Sequence, residues 1–213
     1  MNPASKSEQK PQKLRERLKE AARAAILEAA EAVFSEQGIH RARMEDIATQ
    51  AGVSVGTLYN YFEDRQALLS ALLEQQGEDL MEKVERSLAE LARAPFAERL
   101  AHYLRTVLEH FTSHAKLFTI LVEDEVETGR TGQALSRQRS MLRQMRVRLE
   151  KLVQAGIAEG ALKPEGAELY PDFLSGMLRG LFSRTVEKRG ALSPESAEPI
   201  VRLFLDGAGK DVS

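Results

Sequence analysis

Apolar residues recur along most of this chain at three- and four-residue spacing, the period of an amphipathic helix. Leu18, Ala22, Ala25, Ile26, Ala29, Val33 and Phe34 form the first such stripe, and Gly38 stands where that helix would stop. The pattern predicts one helix over 14–37, a short one over 44–51 and another over 54–62, the last two separated only by Gly52 and Val53. From Asp64 a longer stripe (Leu68, Leu69, Leu72, Leu73, Leu80, Val84) runs to Pro95, a residue suited to opening the next helix. Further helices are expected over 95–112, 114–127, 131–158, 166–189 and 195–207, punctuated by Gly129, Gly132, Gly160, Pro164, Gly190 and Pro194. Pro171 and Pro199 fall inside two of these spans, and each implies a kink or a later start. No strand-like alternation competes, so the expected fold class is all-α.

Composition narrows this picture. The chain has 213 residues, 43% hydrophobic and 29% charged, which is ordinary for a soluble protein with a real core. It has no cysteine, which excludes disulfides, thiolate metal sites and cysteine nucleophiles and suits a reducing cytoplasm. No segment supplies the ~20 apolar residues of a membrane span, and the start lacks the apolar core of an export signal. The expected protein is therefore cytoplasmic, with no membrane partner. A net charge of −2 argues against nucleic-acid binding, but residues 1–23 carry seven bases against three acids. We expect a disordered basic arm over 1–13, a small helical module over 14–65 and a larger helical domain over 66–213.

The segment 41–69, RARMEDIATQAGVSVGTLYNYFEDRQALL, carries the most chemistry. Ile47, Ala48 and Ala51 form the inner face of a first short helix; Val53, Leu58 and Phe62 face them from the turn and a second helix. Gly52 sits at the sharp turn between the two, where a positive φ is expected. With Leu58 and Phe62 pointing inward, the opposite face offers Val55, Thr57, Tyr59, Asn60 and Tyr61. Hydroxyls and an amide there can bond base edges or phosphates, and apolar atoms can meet a thymine methyl. Ser54 can cap the second helix, and Arg65, just beyond it, can donate to a phosphate. An ordinary helical corner would instead pack these tyrosines against its neighbours.

The run IATQAGVSVGTLYNYFEDRQALL closely resembles the signature of the tetracycline-repressor (TetR) family of transcriptional regulators. That signature has an alanine-glycine-valine turn and a recognition helix ending in tyrosine-x-tyrosine-phenylalanine. The resemblance implies a three-helix DNA-binding domain followed by a larger helical effector-binding and dimerisation domain. It maps Ser54, Val55, Thr57, Tyr59, Asn60 and Tyr61 onto DNA-contacting positions, and Arg65 onto a phosphate-binding lysine. Arg43 departs from the family's capping threonine or serine: it can reach phosphate directly, but the cap is lost. The implied partners are a double-stranded, pseudo-palindromic operator, a second copy of the chain and a small-molecule effector of unknown identity, whose binding releases a repressor from DNA.

Elsewhere the residues say less. Apolar and aromatic positions of the central helices suggest an effector pocket lined by Tyr103, Phe111, Phe118, Leu121, Phe173 and Met177. The wide stripe containing Phe173, Met177 and Leu181, with Gly180 permitting close approach, joins Ile200, Val201 and Phe204 as an expected dimer interface, built by four-helix packing as the resemblance implies. His102, His110 and His114 share a loose stripe, but a helix junction at Thr112-Ser113 separates the last two, so no metal is expected. The basic run Arg137, Arg139, Arg143, Arg146, Arg148 and Lys151 is expected to pair with the acids Glu123, Asp124, Glu125 and Glu127. No nucleophile–base set, phosphate loop or cofactor motif stands out, so an enzyme is not expected and no cofactor is assigned. An architectural DNA binder without a ligand is the alternative.

Overall fold

The computed structural model describes the backbone of residues 4–128, 133–186 and 193–208. Those residues form nine α-helices: α1 (Ala4–Gln37), α2 (Met44–Gln50), α3 (Val55–Tyr61), α4 (Arg65–Glu90), α5 (Phe96–Ser113), α6 (Ala115–Thr128), α7 (Gln133–Ala158), α8 (Tyr170–Val186) and α9 (Ala197–Ala208). The fold is all-α. Helix α1 begins at Ala4, ten residues before its expected start, so residues 4–13 of the expected disordered arm are helical, while residues 1–3 lie outside the described residues. Pro171 and Pro199 sit within the first turns of α8 and α9, where a missing N–H costs nothing, and so both helices start later than the periodicity suggested. Among the described residues no helix is long and apolar enough to cross a membrane.

The chain divides into two compact units, 1–72 and 73–213, with the division inside α4. In the first, the apolar stripe of α1 (Ile26, Ala30, Phe34) shares a core with Ile47 and Ala48 of α2, Leu58 of α3 and Leu68 of α4, all at most 1% exposed. A large side chain buried this completely stabilises the fold by about 1.5–3 kcal/mol. The turn between α2 and α3 requires Gly52: its φ is +69°, in the left-handed region, and the N–H of the next residue, Val53, reaches back to the Ala48 carbonyl at 3.0 Å.

The second unit is organised on α5, whose Leu100, Tyr103, Leu104, Val107 and Leu108 are all buried. Helix α9 lies along α5, and α8 packs against α7. Close approach between α5 and α7 depends on Gly156, since a Cβ there would fall 2.6 Å from the Phe96 ring. At the same end the buried Arg99 guanidinium donates to both carboxylate oxygens of Glu159 at 2.5 and 2.6 Å, offsetting its desolvation.

Candidate nucleic-acid interface and ligand cavity

Helix α3 has only seven residues and buries only Leu58, so its other faces stay accessible. Ser54 caps it: its Oγ accepts from the Thr57 backbone N–H at 3.0 Å and lies 2.8 Å from the Thr57 hydroxyl. Thr57 is thus both a partner of the cap and a candidate base reader. Tyr59 is 48% exposed, Ser54 and Asn60 are exposed, and Val55, Thr57 and Tyr61 are half-buried. These six side chains lie on one short helix and its cap, around an N-terminus whose free N–H groups favour an anion.

The two arginines differ from each other. Arg43 is the N-cap of α2 with extended backbone and makes no side-chain cap bond, as its identity implied; Glu45 and Asp46 in the first turn complement the helix dipole instead. Arg43 is exposed. Arg65, by contrast, turns one guanidinium nitrogen inward, where Nη1 donates to the carbonyls of His40 at 2.6 Å and Ala42 at 3.2 Å. It ties the 40–42 turn to the start of α4, a role that residue type alone does not reveal. Another basic group, Arg23 of α1, lies 5.9 Å from the centre of the Phe62 ring.

The larger unit contains a cavity of about 470 Å³ between α5, α7 and α8. Of the six residues expected around an effector pocket, Tyr103 and Phe111 line this cavity; Phe118, Leu121, Phe173 and Met177 do not. Phe118 and Leu121 are buried in the core, where Phe118 packs on Phe111 at 4.9 Å between ring centres, and Phe173 points outward, 63% exposed. Sequence reasoning missed the apolar Leu108, Leu142, Met145, Leu178 and Phe182 and, more consequentially, a charged set: Arg143, Arg146, Asp172 and Arg179, with Ser175. The signal was present in the basic run of α7, which had been assigned to pairing with residues 123–127. Those acids, with Arg137 and Arg139, lie outside the described side chains; of the rest, Arg146 pairs with Asp172 of α8 and Glu150, and Arg148 pairs with Glu85 of α4.

The expected dimer surface also changes. Ile200, Val201 and Phe204 are 4–7% exposed because that face of α9 packs within the chain, with Phe204 meeting Tyr170 edge-on at 5.4 Å. The outward residues are Phe173, Gly176 and Gly180 of α8 and Leu203 of α9, the last 71% exposed, while Met177 and Leu181 are half-buried. His110 is buried with neither ring nitrogen hydrogen-bonded, and burial, with His114 and Lys83 nearby, lowers its pKa from 6.5 to about 3. His114 caps the C-terminus of α5, and its ring lies 4.8 Å from that of His110. No group of three or more metal-ligating side chains occurs among the described residues.

Residues 26–72, the core of this helix-turn-helix unit, match the model for bacterial regulatory proteins of the tetR family. That segment is similar to the DNA-binding region of the TetR family of transcriptional regulators. The chain is 28% identical over 145 residues to the fatty acid metabolism regulator protein of Bacillus subtilis, covering 68% of this chain and 72% of that one. Two solved structures share the fold. FadR from Bacillus subtilis in complex with stearoyl-CoA aligns with a TM-score of 0.66 at 23% identity, over 86% of this chain and 98% of that one. A transcriptional regulator from Saccharomonospora viridis in complex with choline aligns with a TM-score of 0.71 at 19% identity, over 89% and 98%. The TetR-family matches are regulators rather than enzymes.

Proposed function

We propose that this chain is a cytoplasmic repressor of the TetR family that binds a pseudo-palindromic operator as a homodimer and is released by a small-molecule effector. The observation that carries the reading is the capped, seven-residue α3, whose accessible faces carry Thr57, Tyr59, Asn60 and Tyr61 within the segment that matches the family. In this reading α3 enters the major groove, Thr57 and Asn60 reach base edges, and Arg43 neutralises phosphate. Ser54, Val55, Tyr59 and Tyr61 complete the contact surface, and Arg65 contributes mainly by holding the 40–42 turn that precedes α2. The functional division falls at residues 65 and 66, where the DNA-reading module passes into the effector domain.

The homodimer is proposed to form on the outward faces of α8 and α9, through Phe173, Gly180 and Leu203, with the half-buried Met177 and Leu181 at its edge. It would set the two recognition helices about 34–36 Å apart, one turn of DNA. The effector site is the cavity between α5, α7 and α8. A bound effector represses DNA binding only if it favours the DNA-incompetent arrangement. The two solved neighbours carry ligands as different as stearoyl-CoA and choline, so the shared fold does not set the ligand's chemistry, and the lining must.

The test is a footprint and a mobility-shift titration on the promoter fragment upstream of the chain's own gene, with a scrambled duplex as control. A protected inverted repeat is expected. Equal affinity for both duplexes would overturn the repressor reading and favour an architectural DNA binder.

A further inference from the structure

The cavity has an apolar body, to which α7 and α8 add Leu142, Met145, Leu178 and Phe182, and its charges are confined to α7 and α8. Helix α5 contributes Tyr103, Leu108 and Phe111, which present only apolar or ring surface. The Tyr103 hydroxyl adds no free polar handle, because it donates to the Met145 carbonyl at 3.0 Å. Every charged group comes from the other side: Arg143 and Arg146 from α7, Asp172 and Arg179 from α8. Three guanidiniums face one carboxylate, and that carboxylate is already held by Arg146, which also binds Glu150. Arg143 and Arg179 are exposed and make no ion pair among the described residues. A site with an apolar body and a surplus of unpaired guanidinium at its α7 and α8 rim suits a molecule that is itself divided in the same way. Planar guanidinium forks bind carboxylate or phosphate oxygens in pairs, which a lysine would not do.

From this lining, and resting on the effector reading above, we infer that the cavity takes an anionic amphiphile, its apolar body laid against α5 and its carboxylate or phosphate head held by Arg143 and Arg179. Arg146 and Asp172 are positioning residues in this arrangement: their ion pair joins α7 to α8 beside the head group and keeps the two free arginines on the rim. The volume of about 470 Å³ accommodates a single aliphatic chain rather than a folded peptide.

Calorimetric titration of the full chain with dodecanoate, dodecanoyl-coenzyme A and 1-dodecanol, each below its aggregation concentration, tests the inference. At least one anionic probe should bind about tenfold or more tighter than the alcohol. Preference for the thioester identifies a phosphate-bearing head, and preference for dodecanoate a carboxylate. Because both arginines are exposed, the doubly substituted Arg143→Gln, Arg179→Gln protein should fold normally; it should lose the anion preference and bind the alcohol as before. The inference is overturned if the alcohol binds as tightly as both anionic probes, if neither anionic probe binds, or if the double variant keeps the preference. The same samples are assayed on the promoter fragment: a chain that shifts DNA but binds no anionic probe sinks the ligand class alone, whereas one that binds the amphiphile with this preference but ignores DNA sustains the ligand class and sinks the regulator reading.

Discussion

Helices α3 and α9 are both short, amphipathic and rich in function-suggesting residues, yet their outward faces are established in different ways. Helix α3 buries Leu58 alone, so once its cap and the Gly52 turn are in place the accessible side follows from the helical period. Helix α9 carries Ile200, Val201, Leu203 and Phe204 within five positions, an apolar surface too wide for one neighbour. Packing against α5 claims Ile200, Val201 and Phe204 and leaves Leu203 outside. Periodicity identifies which residues share a face; it does not say which of two apolar faces the protomer keeps for itself.

The sharpest way to break this comparison is a pair of neighbouring substitutions on α9. Phe204→Ala should cost about 3–5 kcal/mol, because it opens a cavity beside Tyr170 in the protomer's own core. Leu203→Asp should leave the thermal midpoint of the protomer nearly unchanged and shift sedimentation at micromolar concentration from dimer to monomer. Reversed outcomes would mean that the interface lies on the Phe204 face after all.

A second large effect belongs to His110. Its folded-state pKa of about 3 lies below the ordinary 6.5, so the unfolded chain binds a proton that the folded chain refuses. Its contribution to stability is therefore intact near neutral pH and is lost as pH falls from about 7 towards 3, at up to about 1.4 kcal/mol per pH unit. Denaturant melts at several pH values should show this acid slope, and His110→Phe should flatten it. An unchanged slope would place the acid sensitivity in the carboxylates instead.

On the DNA-reading side the expected effects are smaller and separable. Thr57→Ala and Asn60→Ala should each cost about 1–3 kcal/mol on operator DNA with little change on scrambled duplex. Ser54→Ala removes the cap of α3 and should cost about 1 kcal/mol of stability, read as a lower thermal midpoint before any loss of DNA affinity. Arg43→Ala should flatten the salt slope of binding by about 1 on both duplexes, read by fluorescence anisotropy at several salt concentrations. If Thr57→Ala and Asn60→Ala weaken operator and scrambled DNA equally, α3 is not the reading head.

The sequence by itself determined the all-α class, the helix-turn-helix segment, the Ser54 cap and the glycine turn. Each is a local matter: a residue and its neighbours three or four positions away decide it, and the tertiary structure agrees. The start of α1 was less legible, since a polar, lysine-bearing stretch can extend a helix as well as fray from one. Only the tertiary structure decided the ends of the longer-range interactions. It turned Arg65 back to the carbonyls of residues 40 and 42, tied Arg146 to Asp172, 26 positions away, and buried Phe204 while exposing Leu203. It also replaced four of the six expected cavity residues, because an aromatic side chain such as Phe118 fills the core as readily as it lines a pocket. Arginines at the rim of that cavity are indistinguishable in sequence from any solvated helix face. Arg143 and Arg179 lie 36 positions apart on the successive helices α7 and α8, and what brings them to one opening is the packing of those helices, which no local pattern encodes.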